Sequence, residues 1–155
     1  MIKATYGHGT HNDFVLVFDE ADQLKFTPEQ VKQICDRNTG VGSDGFIKII
    51  KKDGQWFMDY LNADGSVAEM CGNGIRVMAR YLTQNNHQGS GIYSINTRDG
   101  RKFLSVPDDG DIAVNMGQVA QIPGEIKVSV NGNTFRGFNI DMGNPHAVVF
   151  VEDMS

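Results

Sequence analysis

Apolar residues along this 155-residue chain fall in short runs broken by turn residues, and most of those runs read as β-strands. Residues 13–18 (DFVLVF), 46–51 (FIKIIK) and 55–61 (QWFMDYL) are rich in β-branched and aromatic side chains and are bounded by turn residues. Residues 91–97 and 102–106 flank Arg98-Asp99-Gly100, where Asp99-Gly100 is a hairpin signal. Residues 111–116 and 125–130 alternate with period two, as half-buried strands do. Asn131-Gly132 then marks a second hairpin before residues 134–142, and residues 147–151 (AVVFV) form a last apolar strand.

Two segments carry a helical pattern instead. Thr27-Pro28-Glu29-Gln30 combines an N-cap residue, a proline at the first helical position and a glutamine at N3, which is a capping box. Val31, Ile34 and Cys35 continue it as an apolar stripe, and Gly40 is the expected stop. The second helix is expected from Gly74 to Thr83. Its apolar residues, Ile75, Val77, Met78, Ala79, Tyr81 and Leu82, spread nearly all the way round, so it should be buried on most sides. The pattern predicts an α+β fold: one domain over residues 1–155, with a curved, mostly antiparallel sheet or barrel wrapped around a central helix.

Composition narrows the function classes. The chain is 40% hydrophobic and 21% charged, with a formal net charge of −5 and a pI near 5.2. That balance carries no electrostatic footprint for nucleic acid or a membrane surface. No apolar run approaches the ~18 residues of a membrane span, and the first residues lack the apolar core of a signal peptide. A cytoplasmic location is the default expectation. Two cysteines, Cys35 and Cys71, do not make a disulfide scaffold, so both are expected as free thiols. Glycine is abundant, 18 residues, and scattered between apolar runs, which points to tight turns.

The segment from Asn62-Ala63-Asp64-Gly65-Ser66 through Cys71-Gly72-Asn73-Gly74-Ile75-Arg76 carries the most chemistry. A strand ends in an Asn/Asp/Gly turn, and a cysteine then stands just before a buried helix. Unpaired N–H groups and the macrodipole at a helix start favour negative charge. Both should stabilise the Cys71 thiolate below the usual ~8.5. Gly72 and Gly74 leave the backbone amides open to a ligand, and such amides can hold a carboxylate. The competing reading is that Cys71 is a small buried apolar residue.

Other motifs point less sharply. Cys71 to Arg76 is one residue short of the loop of cysteine phosphatases. Gly40-Val41-Gly42-Ser43-Asp44-Gly45 matches G-x-G-x-x-G, but it follows a helix and leads into a strand, the reverse of a dinucleotide fingerprint. His8 and His11 have no third ligand nearby, so no metal site is expected, and His87 falls in a polar loop. His146 enters an apolar strand from Asp141-Met142-Gly143-Asn144-Pro145 and could tune a thiol, or be structural. Residues 7–14 read as a glycine-rich turn with Asn12 capping its own backbone.

Three of these segments together resemble the diaminopimelate epimerase family. They are Gly9-x-x-Asn12-Asp13-Phe14, then Asn62-Ala63-Asp64-Gly65-Ser66 with Cys71-Gly72-Asn73-Gly74-x-Arg76, and Met142-Gly143-Asn144-Pro145-His146. The resemblance implies a fold of two similar domains and an isomerase that interconverts LL- and meso-diaminopimelate, for lysine and peptidoglycan synthesis. It implies no pyridoxal phosphate, no other cofactor and no metal, with two cysteines acting on opposite faces of the α-carbon. Carried over by position, Cys71 is one acid/base residue, and Gly72 and Asn73 bind the α-carboxylate. Asn12, Asn62 and Asn144 fix the rest of the substrate, and His146 influences the thiol's ionisation. Gly45 stands where some members carry a substrate-contacting glutamine, so contact there would come from backbone or be absent.

The family's second cysteine-glycine helix start is not found in this sequence. The chain is therefore expected to be the N-terminal domain, without its C-terminal catalytic partner and inactive alone. Its exposed inter-domain face could drive homodimerisation. Two alternatives stand beside this reading: a proline or hydroxyproline racemase domain, and a non-catalytic binding or assembly domain on the same scaffold.

Overall fold

The apolar runs become strands of two separate sheets, seen in a computed structural model that describes residues 2–118, 120–141 and 145–152. The chain divides into two compact units, residues 1–115 and 116–155. In the first, β1 (Thr5–Gly9), β2 (Asn12–Phe18), β3 (Gly45–Lys52), β4 (Gln55–Asn62), β5 (Gly91–Thr97), β6 (Gly100–Val106) and β7 (Ala113–Asn115) lie in one sheet in that order. Four neighbouring pairs are antiparallel. The two parallel pairs, β2–β3 and β4–β5, are those whose connections contain the helices α1 (Pro28–Cys35) and α2 (Gly72–Gln84). Parallel neighbours need a long crossover, so each helix sits where topology demands one.

The sheet is covered on both faces, which explains the unbroken apolar run of β2 and the run of β3 that only Lys48 interrupts. Alternate residues Phe14, Leu16, Ile47, Ile49 and Met58 face α2 and pack with Ile75, Met78, Ala79 and Leu82. Val15, Val17 and Phe46 point the other way, against Val31 and Cys35 of α1. Helix α2 touches both outer strands, β1 and β7, so the sheet curls around it as the helix's all-round apolar pattern predicts. No residue from 72 to 83 is fully exposed.

Several boundaries differ from expectation. Strand β1 runs through Gly9, into the segment over 7–14 read as a turn. The turn itself is only Thr10 and His11, both at positive φ (52° and 62°), closing β1 on β2 between Gly9 and Asn12. Gly7 and Gly9 are there because α2 passes close: a Cβ on Gly7 would lie 3.0 Å from Val77. Helix α1 has the expected capping box, with Gln30 N–H on Thr27, but it ends at Cys35, well before Gly40. The N–H groups of Val41 and Ser43 fold back to bond Ile34 and Cys35 carbonyls, and Gly40 lies too close to Gln33 for any side chain.

The second unit is a meander of β8 (Ala120–Val130), β9 (Asn133–Asp141) and β10 (Pro145–Val149) in the order β10–β9–β8. Asn131-Gly132 makes the expected turn, both residues at positive φ. Strand β8 starts earlier than its alternation suggests. Pro123-Gly124 does not end it but forms a register shift between Ile122 and Glu125.

Met78 is fully buried where α2 meets the sheet. Met78→Ala should destabilise the first unit by about 2–5 kcal/mol, whereas Ile92→Ala, at 82% exposure, should stay within about 0.5 kcal/mol. Urea unfolding followed by the single tryptophan, Trp56, which is buried in the same core, reads both.

Candidate active site

Helix α2 begins at partly buried residues, Cys71, Gly72 and Asn73, and its first N–H groups have no partner within the helix. Cys71 is its N-cap, with extended backbone (φ −140°, ψ 116°), and its Sγ accepts from the Gly74 N–H at 3.4 Å. Its carbonyl takes the Ile75 N–H at 2.9 Å. Among the described residues nothing accepts from the N–H groups of Gly72 and Asn73. Two donors at the positive end of a thirteen-residue helix thus stand open beside a half-buried thiol.

Asn12, at the first position of β2, faces the same point. Its Oδ1 receives Asn73 Nδ2 at 3.3 Å and the Cys71 thiol at 3.7 Å. Its Nδ2 donates to Asp44 Oδ2 at 2.8 Å. Behind it stands an ionic cluster that the sequence reading missed. Arg37 forks onto both oxygens of Asp13 at 2.9 Å each and reaches Asp44 Oδ1 at 2.8 Å. Asp13 also accepts from the Tyr6 hydroxyl at 2.6 Å and the Asp44 N–H at 2.7 Å. Nothing local in the sequence signals this cluster, because its members come from β1, β2 and the loop after α1.

Asn62 ends β4 in register with Gly45, on the same sheet end, and its amide donates to the Ser66 hydroxyl at 3.0 Å. Gly65, at φ 83°, lets this loop close on α1: a Cβ there would lie 2.3 Å from the Pro28 carbonyl. Gly45 has no room either, since a Cβ would meet the Tyr60 ring at 2.5 Å. Tyr60 is a further site residue that the sequence reading did not select. Burial first, and then the electrostatic influence of its neighbours, push its phenol up to about 12. Arg76 turns away from any ligand, bonding the carbonyls of Gly72 (3.0 Å) and Ile112 (3.1 Å) and so bracing the helix start.

Of the site residues expected from sequence, Asn12, Cys71 and Asn73 meet directly, Gly72 adjoins them, and Asn62 shares their end of the sheet. Asn144 lies outside the described residues. His146 belongs to the second unit, on β10 opposite Ile140. His87, expected in a polar loop, stacks on Phe18 with ring centres 4.0 Å apart. Cys35 is core, 3% exposed, at the last position of α1, where burial raises its thiol and Ser43 donates to it at 3.3 Å. The described residues contain no group of three His, Cys, Asp or Glu side chains placed for a metal.

This curled sheet around a capped helix is a known architecture. It matches a *Bacillus anthracis* phenazine biosynthesis protein of the PhzF family (TM-score 0.51, 19% identity, 89% of this chain and 39% of that one). It also matches a putative PhzC/PhzF protein of *Clostridium difficile* (TM-score 0.52, 11% identity, 83% and 48%). At those identities the likeness concerns fold alone.

Sequence comparison goes further. Residues 4–122 match the family model for diaminopimelate epimerase, and the chain belongs to that family. It is 43% identical over 159 residues to the diaminopimelate epimerase of *Streptomyces coelicolor*, covering 96% of this chain and 55% of that protein. Those of *Corynebacterium glutamicum* (38%, covering 96% and 58%) and *Thermobifida fusca* (39%, covering 90% and 56%) are similar. The chain spans just over half the length of these relatives.

Two measurements check the site. Iodoacetamide should label Cys71 at least about ten times faster than Cys35, since reaction needs access and thiolate and Cys35 is buried with its thiol raised; peptide mass spectrometry separates the two. The Arg37 fork, with Tyr6 and the Asp44 N–H, holds the Asp13 carboxyl well below the usual carboxylate range despite burial. A depressed carboxyl stabilises the fold above the unfolded value of ~4 and loses that contribution as pH falls toward the folded value. Asp13→Asn should therefore lower stability at pH 7 and flatten its decline below pH ~4, as read by urea titrations on Trp56.

Proposed function

We propose that this chain supplies one half-site of a cofactor-independent amino-acid epimerase acting on diaminopimelate, a step toward lysine. The observation that carries the reading is Cys71 as N-cap of α2, with the free N–H groups of Gly72 and Asn73 beside it and Asn12 on its sulfur. The substrate's α-carboxylate is taken to lie on those two N–H groups. That places its α-carbon within reach of the Cys71 sulfur. As proton leaves the α-carbon, negative charge grows into the carboxylate, where the helix start is aimed to meet it. Asn12 and Asn62 would hold the polar remainder of the substrate.

Inversion at a tetrahedral carbon needs a base on one face and an acid on the other. Cys71 serves one face. Cys35, the only other cysteine, is locked in the core between α1 and β2, so the thiol for the second face is assigned to a further catalytic domain. Alone, this chain should then bind weakly and turn over little.

Incubation of the chain with LL-diaminopimelate in heavy water, followed by mass spectrometry, tests this. No enzyme-like α-deuteration is expected from the isolated chain. Rapid exchange that survives Cys71→Ser would overturn the assignment of Cys71.

A further inference from the structure

The Asn12 side chain has one amide and two different neighbours, and its orientation matters. A primary amide presents an oxygen on one side and an NH2 on the other, and rotating it by half a turn exchanges acceptor for donor. Here the NH2 side meets the Asp44 carboxylate at 2.8 Å and the oxygen side meets Cys71 and Asn73. A carboxylate only accepts, so the reverse orientation would set two oxygens against each other. Asp44 is itself fixed. Its Oδ1 takes Arg37, its Oδ2 also takes the Asp13 N–H at 3.1 Å, and its own N–H is tied to Asp13.

We infer that Asp44, held by Arg37 and Asp13, is a positioning residue that locks the Asn12 amide with its oxygen toward Cys71. The functional meaning of the lock rests on the reading of Cys71 as a proton-transfer thiol; the lock itself does not. With the oxygen toward sulfur, the thiol has a fixed acceptor for its proton, and the S–H is aimed rather than free to rotate. The same oxygen holds Asn73 Nδ2, which fixes the residue whose N–H is open for a carboxylate. Arg37 does not touch the thiol. It acts three hydrogen bonds away, through Asp44 and Asn12, and its side chain is 56% exposed.

The inference predicts a coupling that a merely structural carboxylate would not show. Asp44→Asn is isosteric but removes the demand for a donor, so Asn12 can turn and offer N–H to the sulfur. Thiolate is the reactive form, so Cys71 alkylation at pH 7 should rise about five-fold, on the order of one hydrogen bond. In an Asn12→Ala background the same Asp44→Asn change should leave the rate unaltered, which is the signature of action through Asn12. Cys35 labelling in each variant reports whether the core has stayed closed. An equal effect of Asp44→Asn with and without Asn12, or no effect in either, would overturn the inference.

A second measurement needs no variant in the cluster. In the unsubstituted chain, the Asn12 side-chain NH2 should exchange with heavy water at least about ten times more slowly than that of exposed Asn86; exchange at the exposed rate would sink the lock. Neither readout involves turnover. Failure of the lock is therefore distinguishable from failure of the epimerase reading, which the deuteration experiment decides.

Discussion

A helix enclosed on most sides by a curled sheet leaves its first N–H groups to find partners or to meet a ligand. That constraint at the start of α2 organises the first unit. The curl of the sheet exists to cover the helix, and the glycines of β1 let it approach. The Arg76 side chain braces the first carbonyl. Cys71 satisfies one N–H through its sulfur and another through its carbonyl. The two that remain lie beside the same sulfur. Fold and chemistry thus meet in one backbone accounting problem.

The two cysteines show how far environment decides what one side chain does. Cys35 ends a helix against the apolar faces of β2 and β3, takes a hydrogen bond from Ser43, and is pushed toward the neutral thiol by burial. Cys71 starts a helix, half-buried, with a backbone donor on one side and an amide oxygen on the other. The second arrangement gives the sulfur a separate donor and acceptor.

Much of this was legible in the sequence because the signals are local. The capping box at Thr27, the Asn131-Gly132 turn and the all-round apolar pattern of residues 75–82 each act within a few residues, and each appears in place. The β1 strand was hidden because Gly7 and Gly9 imitate a loop, when they are absent side chains facing a helix some seventy residues on. The stop of α1 was misjudged for a related reason: Gly40 packs against the helix end without terminating it. Such features depend on what the chain meets later.

The hardest features to read were the charged ones. Arg37, Asp13 and Asp44 are separated by 24 and 31 positions in their key contacts, and each alone resembles an ordinary surface charge. Their value comes from geometry. A guanidinium fork can satisfy one carboxylate fully and still reach a second, and a lysine there would have one point charge for two partners. The same logic separates the motif residues by role. In Asn62 to Arg76, Gly65 makes room for α1 and Arg76 binds backbone, while Gly72 and Asn73 carry the open donors and Cys71 stands beside them. The motif therefore mixes the residues proposed to meet the substrate with residues that only hold the helix start in place, and the hydrogen-bond partners tell them apart.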